Sequence, residues 1–581
     1  MTIRDGSPRL SRRGFLAAGA GALAATAFGG WTPVHAVPFG SSEVSLAAPP
    51  AFPDGIALYQ QAYQNWSKEI MLDAIWTCAP TSPDDVVRLT NWAHQHGYTI
   101  RPRGAMHGWT PLTIVNGAPV DRVILADTML HLNSVSVSPA GAPATVTAGP
   151  GATLDAITTA LQEHGLGFAN LPAPGVLSLA GALAVNAHGA ALPADGETTV
   201  FGHTFGSLSN LITELTAVVW DGNAYSLRTF TRADSDITAL LTHLGRTFLT
   251  SITLQAGANY RMRCQSFTDI DWRELFAPAG ADGRTFESFV RATGRAEAIW
   301  YPFTDKPWLK VWSLAPEKPP ASREVTGPYN YPFSDNVPEP ITDLLGGITA
   351  GNTAIAPAFG QTYYGVTVAG LAATGSSDIW GWSKDLQFYI KPTTLRLTEG
   401  GGAVLTNRAN IANVIHDFTE WFDDRIEHYR ALGQYPLNGP VEIRCCGLDS
   451  PEDVQVPSAG SPTISSMRPR PDHPEWDTAI WLNVLGVPGT PGMFAFYREM
   501  EQWMRGHYNG SDSTFRPEWS KGWAFGPELP YTDEQIVSQA LPATYREGVP
   551  SDENWDSARA VYNKFDPHRV FSNSFLDRLL P

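Results

Sequence analysis

The stretch Arg101-Pro-Arg-Gly-Ala-Met-His-Gly-Trp109 follows Tyr98-Thr-Ile100, which reads as a short strand, and a helix is expected before that from Pro83 to His96. A strand that runs into Gly104 and Gly108 lets backbone come close to a ligand. Glycine has no Cβ in the way, and the amides of such a turn can point at phosphate oxygens. His107 lies inside the turn. Taken alone, this is an ordinary strand-to-loop junction with an incidental histidine, so the segments around it decide.

Upstream, Ser82-Pro83-Asp84-Asp85 is a helix start: a capping serine, proline in the first turn, and acids near the positive helix end. Val87, Leu89 and Trp92 are expected to face inward. Downstream, Val123-Ile-Leu125 and Ala144-Thr-Val-Thr147 read as strands. Thr153 caps an expected helix from Leu154 to His164, with Leu154, Ile157 and Leu161 as its apolar stripe and Gly165 at its end. The run from Pro172 to Gly189 is rich in small residues, as backbone lying against a flat, bulky ligand must be. Leu215 to Trp220, the Asp221-Gly222 hairpin turn and Ser251 to Leu254 complete this half.

At 581 residues the chain exceeds one domain of ordinary size, and 43% hydrophobic residues with 19 Trp and 26 Phe supply a large core. Residues 1–36 stand apart. Ser11-Arg-Arg-Gly-Phe-Leu16, an apolar Ala- and Gly-rich run to about Gly30, and small residues around Val34-His35-Ala36 form a twin-arginine export signal. The expected partner is therefore the Tat machinery and the expected location the periplasm or the medium. The apolar run is too short to span a membrane comfortably, and no later stretch is long and apolar enough, so the mature protein is expected to be soluble. Without Arg4, Arg9, Arg12, Arg13 and Asp5 the 40 basic and 57 acidic residues become 36 and 56, a balance of −20. So negative a surface argues against nucleic acid as a partner. Cys78, Cys264, Cys445 and Cys446 have no metal-site spacing and are too few for a disulfide scaffold, so buried free thiols and no metal are expected.

The order RPRGAMHGW, VTAGPGATLDAI, GLGFANLPAPG, AGALAVNAHG, FGSLSNLI and AVVWDG resembles the FAD-binding domain of the vanillyl-alcohol oxidase family. The resemblance covers about Pro50 to Gly257 and resumes at Asn563-Lys-Phe-Asp-Pro-His-Arg-Val-Phe-Ser-Asn573. It implies that the first loop cradles the FAD pyrophosphate, and that His107 matches the histidine which some members join covalently to the flavin 8α carbon. His188 is the second possible attachment point. The cofactor residues it implies are Arg103, Gly104, Ala105, Met106, His107, Gly108, Trp109, Pro174, Gly175, Asn186, His188, Gly189 and Asn573. No GxGxxG fingerprint favours a Rossmann alternative.

Gln64-Asn-Trp-Ser-Lys-Glu69, Asn91-Trp-Ala93, Ala296-Glu-Ala-Ile-Trp-Tyr-Pro302 and Gly439-Pro-Val-Glu-Ile-Arg444 are similar to one branch of that family, secreted bacterial cholesterol oxidases with covalent FAD. The branch implies Glu297, Glu442 and Arg444 as catalytic residues, with Glu399 and Glu518 as acids near the substrate channel. On their own terms, Glu442 and Arg444 alternate with Val441 and Ile443 and so share one strand face. Such a pair also suits a solvent-facing edge. Glu297 lies among Ala296, Ala298, Ile299 and Trp300, where a carboxyl is expected to have a raised pKa; the alternative is a surface acid at a strand start. Trp300 to Phe303, Trp308, Trp312, Trp380-Gly-Trp382, Phe388 and Tyr389 are expected to line a large flat apolar pocket, although such clusters also make plain core.

The expected fold is α+β: a two-domain vanillyl-alcohol oxidase-type flavoprotein. The signal at 1–36 is followed by an FAD-binding domain at 37–258, a mixed-sheet substrate (cap) domain at 259–530 and a C-terminal return at 531–581. The resemblance implies an oxidase of 3β-hydroxysterols that passes the C3 hydride to flavin N5, uses O2 and shifts the 5-ene to the 4-ene. Transient contact with a lipid surface accompanies a sterol substrate. The alternatives are an oxidase of a sugar or aromatic alcohol and a sterol- or flavin-binding protein without turnover.

Overall fold

Ser82 Oγ accepts a hydrogen bond from the Asp85 amide (3.2 Å) and starts the helix Pro83–His96, which Gly97 ends in the left-handed region. Val86, Leu89, Trp92 and Ala93 are its buried residues; Val87, expected inward, is only partly covered, because Val86 takes the core side. The helix links β2 (Met71–Ala79) to β3 (Thr99–Arg103) and packs on a four-stranded sheet completed by β1 (Ala57–Gln64) and β4 (Val123–Asp127), in the order β1-β2-β4-β3. The pairs β2–β4 and β3–β4 are parallel, so β3 delivers the loop after Arg103 to one end of the sheet. The computed structural model describes residues 46–335 and 339–581; the leader expected at 1–36 lies outside the described residues.

A second, antiparallel sheet contains β5 (Val135–Ser138), β6 (Ala144–Ala148), β7 (Leu166–Gly167), β8 (Ile212–Trp220), β9 (Tyr225–Thr231) and β10 (Phe248–Ala258). Thr153 caps the helix Leu154–Gln162, two residues shorter than expected, whose Leu154, Ile157 and Leu161 are fully buried against this sheet.

The third sheet has nine strands: β11 (Arg261–Phe267), β12 (Ala296–Trp300), β13 (Trp308–Leu314), β14 (Arg323–Glu324), β15 (Asp378–Trp382), β16 (Thr398–Thr406), β17 (Val441–Gly447), β18 (Thr478–Gly486) and β19 (Ser513–Pro517). Their order is β14-β15-β11-β13-β12-β17-β18-β16-β19. Among the described residues of this sheet only the β14–β15 pair is parallel. Its two faces differ. Ala298, Leu309, Val311, Ile443, Cys445 and Leu482 form one core with the helices Ile411–Ala431 and Met493–His507. The opposite face looks into a cavity. Cys445 and Cys446 fall on opposite faces, and all four cysteines are unpaired and buried. Among the described residues no helix is long and apolar enough to cross a membrane.

Trp519 and Trp523 already pack in the core of the second sheet, and the chain then closes on the first. Ile100 N donates to Val570 O (2.8 Å), and Arg101 donates to the carbonyls of Phe571, Leu112 and Gly245. Asp566 is the polar centre of this closure. It accepts from Tyr225 OH (2.6 Å), Arg246 Nη1 (2.9 Å) and the amides of Val570 (2.8 Å) and Phe571 (3.0 Å). Removing one partner of a buried pair leaves the other charge uncompensated. Asp566→Ala should therefore lower unfolding stability by about 3–5 kcal/mol, measured by chemical denaturation followed through tryptophan fluorescence. A loss no larger than about 1 kcal/mol, the size of an exposed pair, would mean that apolar packing alone holds the segment.

Candidate active site

Cross-strand neighbours in a sheet point the same way. In the third sheet Lys310 stands opposite Glu297, and Glu297 opposite Arg444, across three adjacent strands. Glu442, two residues from Arg444, shares that face, and its cross-strand partner Asn483 stands opposite Gly401, two residues from Glu399. One sheet face therefore carries Lys310, Glu297, Arg444, Glu442, Asn483 and Glu399, and every one but Asn483 reaches the cavity wall.

Arg444 Nη1 donates to Glu297 Oε1 (3.0 Å) and to Glu442 Oε2 (2.9 Å). Glu297 Oε2 accepts from Tyr389 OH (2.7 Å) and lies 2.5 Å from Lys310 Nζ. Glu297 is 1% exposed, so neither an edge strand nor a surface acid describes this group. The raised pKa expected for Glu297 is overturned. Burial does press it upward, but Lys310 and then Arg444 outweigh burial and hold the carboxyl at about 2. Ala296, Ala298 and Trp300 face the other way, and the sequence neighbours say nothing of the charges brought in by adjacent strands.

A second group adjoins the first. Asn483 Nδ2 donates to Glu399 Oε1 (2.7 Å) and Glu518 Oε2 (2.6 Å), and Lys521 Nζ donates to Glu399 Oε2. His188, stacked on Trp481 at 3.7 Å, lies with Nε2 3.7 Å from Glu518 Oε1. Lys521, His188 and Arg444 hold Glu518 low against its burial. Burial pushes Glu399 up to about 7; Lys521 opposes this, while Glu442 and Glu518 add to it. Glu297, Glu442, Glu399 and Glu518 together face three cations, Lys310, Arg444 and Lys521. The unmatched charge falls on Glu399.

The loop after β3 forms the opposite wall. Met106 sits at φ +55, a sparsely used conformation that tightens the turn. Gly104 leaves no room for a side chain, since a Cβ there would stand 1.9 Å from Ser178 Oγ. His107 stacks on Trp66 (3.8 Å) and exposes part of its surface. Burial, then Lys521 and Arg396, push it down to about 3, so the imidazole is neutral. Lys521 Nζ lies 4.0 Å over the Trp109 ring, joining this loop to the carboxylates.

The cavity holds about 2600 Å³ of empty space, part of it open to solvent. Its residues fit a large flat group with a polar end. Ala105, Gly108, Ala173, Ala187 and Gly189 give a wall of small residues, while Arg101 Nε, His243 Nε2 and Thr247 Oγ1 are buried on it without a partner. Burial and then Arg101 push His243 down to about 3, leaving a neutral ring that can hydrogen-bond.

Of the residues expected at the cofactor, Gly104, Ala105, Met106, His107, Gly108, Trp109, Pro174, His188 and Gly189 line the cavity. Four lie behind its wall. Arg103 pairs with Asp127, Gly175 packs on Phe388, Asn186 accepts from the Ser466 amide (3.4 Å), and Asn573 caps the last helix while donating to Pro111 O and Leu112 O. Glu399 and Glu518 both line it. The aromatic expectation is corrected in part: Tyr301, Trp308, Trp312 and Tyr389 line the cavity, but Trp300, Phe303, Trp380, Trp382 and Phe388 do not. Trp300 stacks on Trp272 in the opposite core because its side chain leaves the strand on that face. Lys310, Asn483, Lys521, Tyr389 as a hydrogen-bond donor, and the loop Thr242-His-Leu-Gly-Arg-Thr247 were not singled out as site residues. The alternation that marked Glu442 and Arg444 also marks Lys310 in Trp308-Leu-Lys-Val-Trp312.

Residues 76–228 match the family model of an FAD-binding domain, and residues 261–581 the model described as cholesterol oxidase, substrate-binding. Cholesterol oxidase from Brevibacterium sterolicum is 72% identical, with a TM-score of 0.92 over 92% of this chain and 100% of that one. A histidine-to-alanine mutant of that enzyme has the same identity and coverage and a TM-score of 0.91. A solvent-stable cholesterol oxidase is 47% identical, with a TM-score of 0.91 over 92% of this chain and 100% of that chain. Among curated proteins none matches.

Glu399 supplies a pH test. Its carboxyl is neutral below about pH 7 and an anion above it, because the folded protein raises the group toward neutrality. Infrared difference spectra should contain a buried carboxyl band that fades as pH rises through about 7 and is missing from Glu399→Gln. A band that survives in that variant would place the titrating proton elsewhere.

Proposed function

The chain belongs to the cholesterol oxidase family, and from that premise we propose that it oxidises the 3β-hydroxyl of cholesterol-like sterols, with FAD as cofactor and O2 as final acceptor. The observation that carries this reading is the charged face of the third sheet, flanked inside the same cavity by the rings of Tyr301, Trp308 and Trp312. A long apolar substrate with a single hydroxyl fits such a surface, whereas a sugar would leave most of its hydroxyls unpaired.

Bound FAD would accept the C3 hydride at N5 and return its electrons to O2 as hydrogen peroxide. The chain's own task is the hydroxyl proton and the charge left behind. Glu297 is our proton acceptor: it is buried, ionised and held by three neighbours. Its low pKa does not forbid the role. The hydroxyl proton grows steeply more acidic as the hydride leaves C3, so a weakly basic carboxylate takes it within the same step. The oxygen carries partial negative charge as it becomes the carbonyl oxygen. Arg444 steadies the negative charge that develops on the C3 oxygen, and Glu442 keeps Arg444 in place. Moving the 5,6 double bond to 4,5 requires a proton to leave C4 and another to arrive at C6; Glu297 and Glu442 are the groups proposed to carry it.

His107 is the proposed covalent attachment point. A neutral imidazole has a free lone pair, and stacking on Trp66 fixes its ring. His188 suits the role less well, since its two nitrogens face Gly189 O (3.1 Å) and Glu518. The twin-arginine pattern supports export of the folded, loaded protein.

Oxygen uptake with cholesterol, and absorbance of the 4-en-3-one product, test the activity; no uptake with cholesterol but uptake with a sugar or benzylic alcohol would overturn it. Arg444→Ala should slow flavin reduction in stopped flow by about 10²–10³, more than it weakens sterol binding. Arg444→Lys should recover little, because an ammonium cannot reproduce the rigid, planar guanidinium. Near-normal reduction in both would sink the electrostatic role. Acid-denatured protein should stay yellow after filtration, while His107→Ala should release its FAD; flavin retained by that variant would move the bond to His188.

A further inference from the structure

Lys310 has no surface role, being 0% exposed at the centre of the third sheet. Its strand neighbours Leu309 and Val311 pack in the opposite core, and an apolar residue at its own position would avoid burying an ammonium. Among the described residues its one ion pair is with Glu297, directly across the strand pair, at 2.5 Å. Three rings enclose it: Nζ lies 3.4 Å from the ring centroid of Tyr389, 5.0 Å from that of Trp308 and 5.3 Å from that of Trp312. The same Tyr389 donates its hydroxyl to Glu297 Oε2, the oxygen that Lys310 touches. The other oxygen is left to Arg444.

We propose that Lys310 is a positioning residue for Glu297: caged by aromatic rings, it keeps that carboxylate charged and turned toward Arg444, and so sets the lower pH limit of sterol oxidation. The inference rests on Glu297 as the proton acceptor. Rings can hold a cation by their faces without offering an acceptor that competes for it, which leaves the whole charge for Glu297. The remaining groups nearby do not substitute for it. Cys264, on β11, is a thiol pushed by burial to about 12, and Tyr331 lies 3.8 Å from it. On β17, Arg444 divides its charge between Glu297 and Glu442. Burial and then Glu297 hold Tyr389 protonated. Without the ammonium, burial is opposed only by Arg444 and by the Tyr389 hydrogen bond, and the carboxyl of Glu297 rises.

The test uses flavin-loaded enzyme. In Lys310→Met the acid limb of the flavin reduction rate should move up by about one to three pH units, the range an adjacent opposite charge commands. Slow reduction at low pH should then recover at high pH, with sterol binding little changed. Lys310→Arg should restore the parent limb. Infrared spectra of Lys310→Met at low pH should contain a protonated carboxyl that Glu297→Gln removes. In the Glu297→Gln background Lys310→Met should add nothing, since the two act through one group. If Glu297→Gln alone leaves reduction unchanged, the acceptor reading fails. If it collapses reduction, but Lys310→Met shifts no limb or slows both backgrounds equally, the positioning role fails. Should Lys310→Met not retain flavin, Lys310→Gln serves in its place with the same outcomes.

Discussion

Arg444 holds Glu297 and Glu442 through a single nitrogen inside a cavity wall where isolated charges could not persist. Taking a carboxylate out of water costs several kcal/mol unless a partner stands within a few ångströms. The four carboxylates on and beside this sheet face can therefore exist only as an interlocked set with Lys310, Lys521 and Arg444. That requirement explains the architecture behind them. The strands carrying the set are buried on both sides, and the face away from the cavity is packed by Phe418, Phe422 and Phe496 from two long helices. A sheet able to slide by one residue would exchange the charged face for the apolar one.

The two halves of the cavity are joined by the chain leaving β19. Glu518 and Lys521 belong to the charge set, while the backbone between them binds the loop after β3. Trp109 N donates to Ser520 O (2.8 Å), and Thr110 Oγ1 donates to Trp519 O (2.5 Å). The loop that carries His107 is thus tied to the sheet that carries Glu297. A cofactor held on one wall and a sterol lying against the other would be kept in mutual register by this short segment.

Much of the first half was legible along the chain. The helix Pro83–His96 has its cap, its acids and its terminal glycine in consecutive residues, and local signals of that kind need no tertiary contact to be read. The Arg101–Trp109 turn was legible for the same reason: a strand must end where glycines interrupt it. Glu442 and Arg444 were placed on one face by alternation alone, and their contact followed. Glu297 was read wrongly in its charge state because its decisive neighbours, Lys310 and Arg444, lie 13 and 147 residues away in sequence. The aromatic residues divided in the same way. Trp300 and Tyr301 are adjacent, yet one enters the helical core and the other the cavity.

By itself, then, the sequence determined the order of elements, the glycine-bearing loop, the alternation that places charge on a strand, and the cofactor class implied by six segments in a fixed succession. These are properties of short windows, governed by backbone sterics and by a period of two or 3.6 residues. Only the tertiary structure decided which charges meet, how they divide one arginine among two acids, and why the unmatched negative charge falls on Glu399. The reason is physical: strand order β13-β12-β17-β18-β16 is not chain order, and electrostatic energy in a dry site depends on distances between strands.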